Sequence, residues 1–513
     1  MRRFRIILAG AATLALAAFL VLKWQAAGLE RRIEARIVAE AARIGAVARV
    51  ERVRVGLWPP LVVTGLVVEK PGRWRGDVEE LSVRPQLRGS SGLGPFVRIA
   101  VGPTVVALPG DLEVRLNATE WDWDGRSTAE LAAPTQGLRL RAVSEPDVQR
   151  FVLTATELDI GRLAGLRLEQ AVVQPGRVDG ELSGERRADQ SIDARWRVSA
   201  SFGQCSGKAE LLRSASPPRL QLGFEVDQLD FARLFSSLGL ELPLGAAALG
   251  SLHADVGASG PLDDPASITV TQQLDFKPPP KLPPALVRLQ GDFVHEATAP
   301  DGSHIRIDVS PGSPDFVARA DVPPLFVKTL LLAEDSAFFT HRGIDLGELP
   351  KALAANWAQG GAVRGASTLT QQLAKNLFLS REKSLKRKLQ ELALAFLLEA
   401  ALGKDRILEI YLNVIEWGPG LYGLRPAARH YFGKDPDALS PKEMAFLVVM
   451  IPGPVKYQRS FNEGALSAGL EPLVVKLLAK LRSVDALSED EYSAALAETL
   501  AFRRPETAPA VEP

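Results

Sequence analysis

The chain has 513 residues, enough for two or more domains of ordinary size. Lys plus Arg and Asp plus Glu number 61 each, so the overall charge implies no nucleic-acid partner. The single cysteine, Cys205, cannot form an internal disulfide and reads as a small buried hydrophobe. The histidines are scattered, with no His or Cys pair at zinc-site spacing.

At the N-terminus, Arg2, Arg3 and Arg5 precede an apolar run from Ile6 to Leu22, closed by Lys23 and Trp24. At about 17 residues the run is at the low end of what spans a bilayer as a helix. Residues 1–27 are therefore expected to be a cytoplasmic stub and an uncleaved, single-pass transmembrane anchor. The arginines would lie inside and the bulk of the chain would be periplasmic, on the outer side of the cytoplasmic membrane. A cleaved signal peptide is the rival reading, disfavoured because no clear small-x-small site follows the run.

From Gly28 to about Gly45 the pattern is helical, and alternation of period two then takes over. Val50 to Val55, Asp111 to Leu116, Arg195 to Ala200 and Leu220 to Val226 read as half-buried strands, punctuated by Gly, Pro, Asp and Asn. Residues 28–310 are thus expected to be β-rich. The Pro-rich stretch Lys277 to Pro284 cannot lie inside a central strand. It should lead to a hairpin of Gly291 to Ala297 and His304 to Val309, with Asp301-Gly302 in the turn. Residues 311–324 read as a linker. From Leu325 to 502 the period is helical, most clearly over Ser384 to Leu402. The Pro- and Ala-rich tail, 503–513, is expected to be disordered.

Reactive chemistry concentrates in three blocks: Glu334 to Asp345, Gly365 to Asn376, and Arg387 to Glu391. Glu334 follows the apolar run Leu325 to Ala333, where a carboxylate at the edge of an apolar wall has a raised pKa suited to acid/base work. Taken alone it is more simply read as an ordinary helix charge, and His341 and Asp345, which could orient each other, are more simply read as loop residues. In the second block Thr368 and Gln371 have capping-box spacing, which explains a helix start. It does not explain the density of Ser367, Thr368, Thr370, Gln371, Gln372, Lys375 and Asn376. Gln371 and Lys375, four apart, share a helix face that can grip sugar hydroxyls and phosphate oxygens. In the third block Arg387 and Lys388 lie four and three residues before Glu391. That is a common solvated pattern, or else two cations that keep Glu391 ionised and leave positive charge for a diphosphate. Two separated carboxylates and a cation cluster are what sugar transfer from a pyrophosphate donor needs.

At these blocks the sequence resembles the monofunctional peptidoglycan glycosyltransferases, glycosyltransferase family 51, or biosynthetic transglycosylases. The family pattern is E-D-x-x-F-x-x-H-x-G-x-D, then G-[GA]-S-T-[IL]-T-Q-Q-L-x-K-N, R-K-x-x-E and K-x-x-I-L-E-x-Y-L-N. The last is present as Lys404 to Asn413, and Tyr431 to Lys434 fits a further element. The resemblance runs from about Val317 to Phe461, with Ala366 for the commoner Gly and a weaker fit over Phe446 to Pro454. It implies a lysozyme-like domain over 325–502 that polymerises lipid II, inverting at C1 with release of undecaprenyl diphosphate. It implies Glu334 as general base and Glu391 as the second essential carboxylate, stabilising the donor site or a metal. Lys375, Arg387 and Lys388 would hold diphosphate. Gln371 and Gln372 would position substrate, with Asp335, Ser367, Thr368 and Asn376 completing the substrate-binding set. A divalent cation, Mg or Mn, assists some members, and no organic cofactor is implied. The implied partners are lipid II, the growing glycan strand, the membrane, and cell-wall synthesis or division proteins. No K-T-G occurs and few residues follow Phe461, so no transpeptidase domain is expected.

The N-terminal region, with Val50 to Leu61 after a short helix, resembles the start of AsmA-like envelope proteins. These build extended sheets with an apolar groove and are linked to lipid transport. The expected fold class is therefore multidomain: an N-terminal transmembrane helix, a β-rich AsmA-like region, and a C-terminal mainly α, lysozyme-like glycosyltransferase domain. For the N-terminal region the alternative is a generic β-rich spacer that holds the enzyme above the membrane. Two rivals stand beside the whole reading: a lytic, glycan-cleaving enzyme, and a non-catalytic lipid-binding or scaffold protein with a degenerate transferase domain.

Overall fold

The structure is a computed structural model that describes residues 29–55, 61–72, 74–89, 92–108, 112–116, 119–123, 128–133, 138–144, 148–159, 177–244, 249–299, 302–358, 367–380 and 384–503. The chain divides into two compact units between Asp275 and Phe276, with Leu242–Ser251 belonging to the second.

The first unit opens with helix α1, Leu29–Arg43. Its Ile33 and Ile37, one turn apart, and Ala41 are buried against Val53, Leu61, Val63, Leu81, Val83, Val97 and Ile99. These residues stand at alternate positions of neighbouring strands, so one sheet face and one helix stripe exclude water together. The sheet continues through antiparallel neighbours, among them Arg177–Arg187, Ile192–Ala200, Gly203–Leu212 and Arg219–Asp230. A Cβ at Gly207 would come within 2.4 Å of the Trp196 side chain on the facing strand. Only glycine lets that indole lie across the strand. Cys205 is half-buried rather than buried. Helix α2, Phe231–Ser237, is capped by Asp230, whose Oδ1 accepts from Arg233 N at 3.0 Å.

The second unit is helical. It holds α3 (Pro284–Val287), α4 (Pro324–Glu334), α5 (Leu349–Ala358), α6 (Leu369–Phe378), α7 (Leu385–Ala401) and α8 (Lys404–Val414). There follow α9 (Leu424–Phe432), α10 (Pro441–Met450), α11 (Pro454–Glu463), α12 (Glu471–Ser483) and α13 (Glu489–Ala497). The expected helix over Ser384 to Leu402 is α7, with Ser384 as its N-cap accepting from Arg387 N at 3.1 Å. Its stretch from Ala393 to Leu398 is buried and forms the centre of the helical core. The hairpin pairs Phe293–Thr298 with His304–Val309, and Gly302 takes the positive φ (84°) of its turn.

The segment that leads to this hairpin packs with the helices. The Phe276 ring stacks on Phe396 at 5.3 Å, Gln290 Nε2 donates to Ala401 O at 3.0 Å, and Arg406 Nε donates to Leu289 O at 2.9 Å. The expected linker 311–324 also lies within this unit. Asn413 Oδ1 accepts from Val317 N at 2.9 Å, and its Nδ2 donates to Val317 O at 2.8 Å. Phe316, Val317 and Val322 are buried.

The expected fold class is corrected at its first element. Among the described residues no helix is long and apolar enough to cross a membrane. The longest, α7 with 17 residues, carries Lys386, Arg387, Lys388, Glu391 and Glu399. The apolar run 6–22 lies outside the described residues, as do 56–60, 359–366 and the tail from 504.

Candidate active site

The site is built where α4 ends, α6 begins, and α7 and α8 pass behind them. The apolar residues of α4 (Phe326, Val327, Leu330) bury that helix and carry Glu334 to its last position. The next residue, Asp335, caps α4 through its N–H on Leu331 O at 2.9 Å. Its buried carboxylate is occupied within the protein. His341 Nε2–H donates to both oxygens at 3.0 Å, and Leu369 N donates to Oδ2 at 2.8 Å. The His341 tautomer follows, because Nδ1 accepts from Gly343 N at 3.0 Å, leaving the proton on Nε2. Thr368 Oγ1 donates to Gly343 O at 2.6 Å. Asp335 thus fastens the end of α4 to the start of α6. Asp345 does not meet His341; its Oδ1 accepts from Gly347 N at 2.8 Å.

Thr368 caps α6 in a full capping box with Gln371. Gln371 is buried, and its Oε1 also accepts from Lys388 Nζ at 3.4 Å. The adjacent Gln372 turns the other way: its Nε2 donates to Glu334 Oε2 at 2.9 Å, and its Oε1 accepts from Tyr411 OH at 2.9 Å. Burial pushes the Glu334 carboxyl above the ordinary range. The Gln372 hydrogen bond opposes that rise, Asp335 adds to it and Lys375 opposes it. Lys375 and Asn376 lie half-buried in the last turns of α6, and the Asn376 backbone is a hydrogen-bond partner of His295 on the hairpin.

About two turns into α7, Glu391 is buried between two cations. Arg387 Nη1 pairs with its Oε1, and Lys388 Nζ donates to its Oε2 at 3.0 Å and to Ser367 Oγ at 2.7 Å. The Lys388 side chain is 43% exposed. Two charges against one carboxylate leave a positive excess at a partly open position, which suits an anion. The set does not fit a divalent cation on Glu391. Both carboxylate oxygens are taken, and the two neighbouring cations would repel the ion.

The structure therefore gathers Glu334, Gln372 and Lys375 in one group, and Glu391, Arg387, Lys388, Ser367 and Gln371 in another. Asp335 and Thr368 brace the two. Sequence reasoning missed Tyr411, which is fully buried, and Glu399, whose Oε1 accepts from Thr370 Oγ1 at 2.6 Å and from Lys404 Nζ at 2.7 Å. A signal for Tyr411 existed: a phenol amid apolar residues of α8 must find a polar partner.

Residues 305–474 match the family model described as Transglycosylase. The chain is 48% identical over 135 residues to a biosynthetic peptidoglycan transglycosylase of Azoarcus sp. (strain BH72), covering 26% of this chain and 58% of that protein. It is 44% identical over 152 residues to one of Nitrosospira multiformis, covering 30% of this chain and 66% of that one. The chain thus spans less than two thirds of the length of these curated relatives. An alignment with the crystal structure of Penicillin-Binding Protein 1A from Haemophilus influenzae has 21% identity and a TM-score of 0.22. It covers 42% of this chain and 22% of that one, too loosely to carry an argument.

Proposed function

We propose that this protein is a peptidoglycan glycosyltransferase that polymerises lipid II into glycan strands. The observation that carries the reading is a carboxyl group poised to take a proton, Glu334, on the same helical framework as the Arg387, Lys388 and Glu391 cation cluster. The similarity to named biosynthetic peptidoglycan transglycosylases supports it.

In this reading Glu334 accepts the proton of the acceptor GlcNAc 4-hydroxyl as that oxygen attacks C1 of the donor MurNAc. C1 inverts, and undecaprenyl diphosphate departs with the bonding pair. Lys388 and Arg387 hold the negative charge that grows on the diphosphate, with Lys375 nearer the reacting centre. Glu391 keeps the two α7 cations in place. A divalent cation, Mg or Mn, would arrive with the diphosphate rather than be held by Glu391. The donor is membrane-bound, so the reaction is assigned to the outer face of the cytoplasmic membrane, with the growing strand leaving into the periplasm.

The β-rich unit is assigned an AsmA-like, lipid-contacting role. Its registers support this: Leu182, Trp196, Gly207 and Phe224 stand opposite one another across four strands. The intervening row Glu181, Arg197, Ser206 and Glu225 is polar. One face of this stretch is therefore apolar, and Leu182, Trp196 and Phe224 are only half-buried.

The deciding experiment is incubation of the purified full-length chain with lipid II and a divalent cation, followed by a gel of the glycan. Polymer is expected. Fragments released from preformed glycan would favour a lytic enzyme, which has no need of the Lys388 cluster. Absence of both would leave only a scaffold.

A further inference from the structure

Among the described residues Gln372 is the one side chain that hydrogen-bonds the Glu334 carboxylate, and an amide has two unlike ends. With Nε2 toward Glu334 it donates and favours the ionised carboxylate. Flipped, it would present Oε1 and favour the protonated acid. What selects the end is Tyr411. Its hydroxyl reaches Gln372 Oε1 at 2.9 Å from α8, 39 residues away in sequence. A phenol can donate or accept, but the buried Tyr411 hydroxyl has no other hydrogen-bond partner among the described residues, so its proton is satisfied only with the carbonyl end of the amide toward it.

We propose that Tyr411 is a positioning residue for the base. It locks the Gln372 amide so that Nε2 faces Glu334, and thereby sets the pH at which Glu334 becomes a proton acceptor. This rests on Glu334 being the base proposed above.

The surroundings favour this polarity. Tyr411 is fully buried, and burial, together with the charges of Glu334 and Asp335, pushes its phenol well above the ordinary range. It therefore keeps its proton wherever the enzyme works. The other groups facing Glu334 are Asp335 at the end of α4 and Lys375 on α6. Helices α10 and α12 also pack on α4. Of the charged groups they carry, Lys480 donates to Leu332 O at 2.8 Å, Lys442 to Leu496 O, Glu443 pairs with Lys434, Arg482 pairs with Asp485 and Glu489, and Glu471 and Lys476 are exposed. None of these fixes the amide.

The test uses the full-length chain as Tyr411→Phe, Gln372→Leu and the double variant. Phenylalanine keeps the packing and removes only the hydroxyl. The acid limb of kcat/KM against pH should move upward by about half a unit to one unit in Tyr411→Phe. KM for lipid II should change little. Gln372→Leu should shift at least as far, and the double variant no further than Gln372→Leu, because the hydroxyl acts through the amide. The same titration is read without turnover by isotope-edited infrared of 13C-labelled Glu, with Glu334→Gln identifying the band. If the parent makes no polymer, the proposed function fails, while the infrared midpoint still decides the role of Tyr411. An unmoved midpoint and limb in Tyr411→Phe would overturn the proposal. So would a shift that persists in full in the Gln372→Leu background.

Discussion

Glu334 pits chemistry against stability. Burial disfavours its ionised form, which is the form that must accept a proton, and the Gln372 amide only partly offsets that cost. Its folded pKa lies above the unfolded value, so in the window between the two the folded state binds more protons and stability falls as pH rises. Below the ordinary carboxyl range both states are protonated and the penalty vanishes. Glu334→Gln should therefore abolish most activity, by roughly 100- to 10,000-fold. It should also raise the melting temperature at neutral pH by on the order of a few degrees. That gain should fade as pH is lowered through the carboxyl range, as calorimetry across pH would show. A variant that turns over normally would remove Glu334 from the mechanism. Lys388 gives the complementary case. It is partly exposed and joined to Ser367 and Glu391, so it sits at the open end of the cation group. Lys388→Ala should lower kcat/KM for lipid-linked donor roughly 10- to 100-fold, the worth of a charge-assisted contact. Its thermal unfolding should be close to the parent's. Equal turnover would make this lysine a structural partner of Glu391 and nothing more.

At the scale of elements, the helices were legible where local signals agreed. The periodic pattern over Ser384 to Leu402 gave α7, and Thr368 with Gln371 gave the start of α6. The hairpin strands and its turn glycine also followed from alternation and Asp301-Gly302. The long-range pairings were not legible, because nothing in local pattern ties residue 317 to residue 413. Asn413 stood out only as the last residue of a motif. In the structure its amide pairs with both backbone groups of the buried Val317, and its Nδ2 also donates to Glu409 O at 2.8 Å. The same limit hid Tyr411, whose partner lies on another helix, and made Asp335 look like a substrate ligand when its oxygens are spent on His341 and Leu369. Asn413→Leu keeps the size but leaves the Val317 N–H and C=O buried and unpaired. A loss of roughly 2 to 5 kcal/mol is expected by denaturant titration, since each such group costs about 1 to 3. A loss under half a kcal/mol would mean that 317–322 is held by its apolar contacts alone.

At the scale of the whole molecule, the change of hydrophobic period at Leu325 suggested a cut at 311–324, but period reports the type of secondary structure and not which core it joins. Leu286, Leu289 and Val309 precede that cut and are fully buried, and Phe293 nearly so, in the unit that contains the helices. Their neighbours Phe276 and Gln290 reach Phe396 and Ala401 on α7, the helix that carries Arg387, Lys388 and Glu391. A fragment that starts at 311 would strip apolar cover from α7 and α8. It would also leave the Arg406 guanidinium without its carbonyl partners at Leu289 and Gly291. Two fragments separate the possibilities: one is 311–513, and the other joins 242–251 to 276–513 through a short Gly-Ser linker. The longer one should unfold cooperatively and polymerise lipid II in detergent. The shorter one lacks several fully buried side chains, each worth about 1.5–3 kcal/mol of burial. It should therefore melt far lower or fail to fold. Should 311–513 match the longer fragment in melting temperature and turnover, the hairpin would be dispensable, and the catalytic core would begin at the change of period after all.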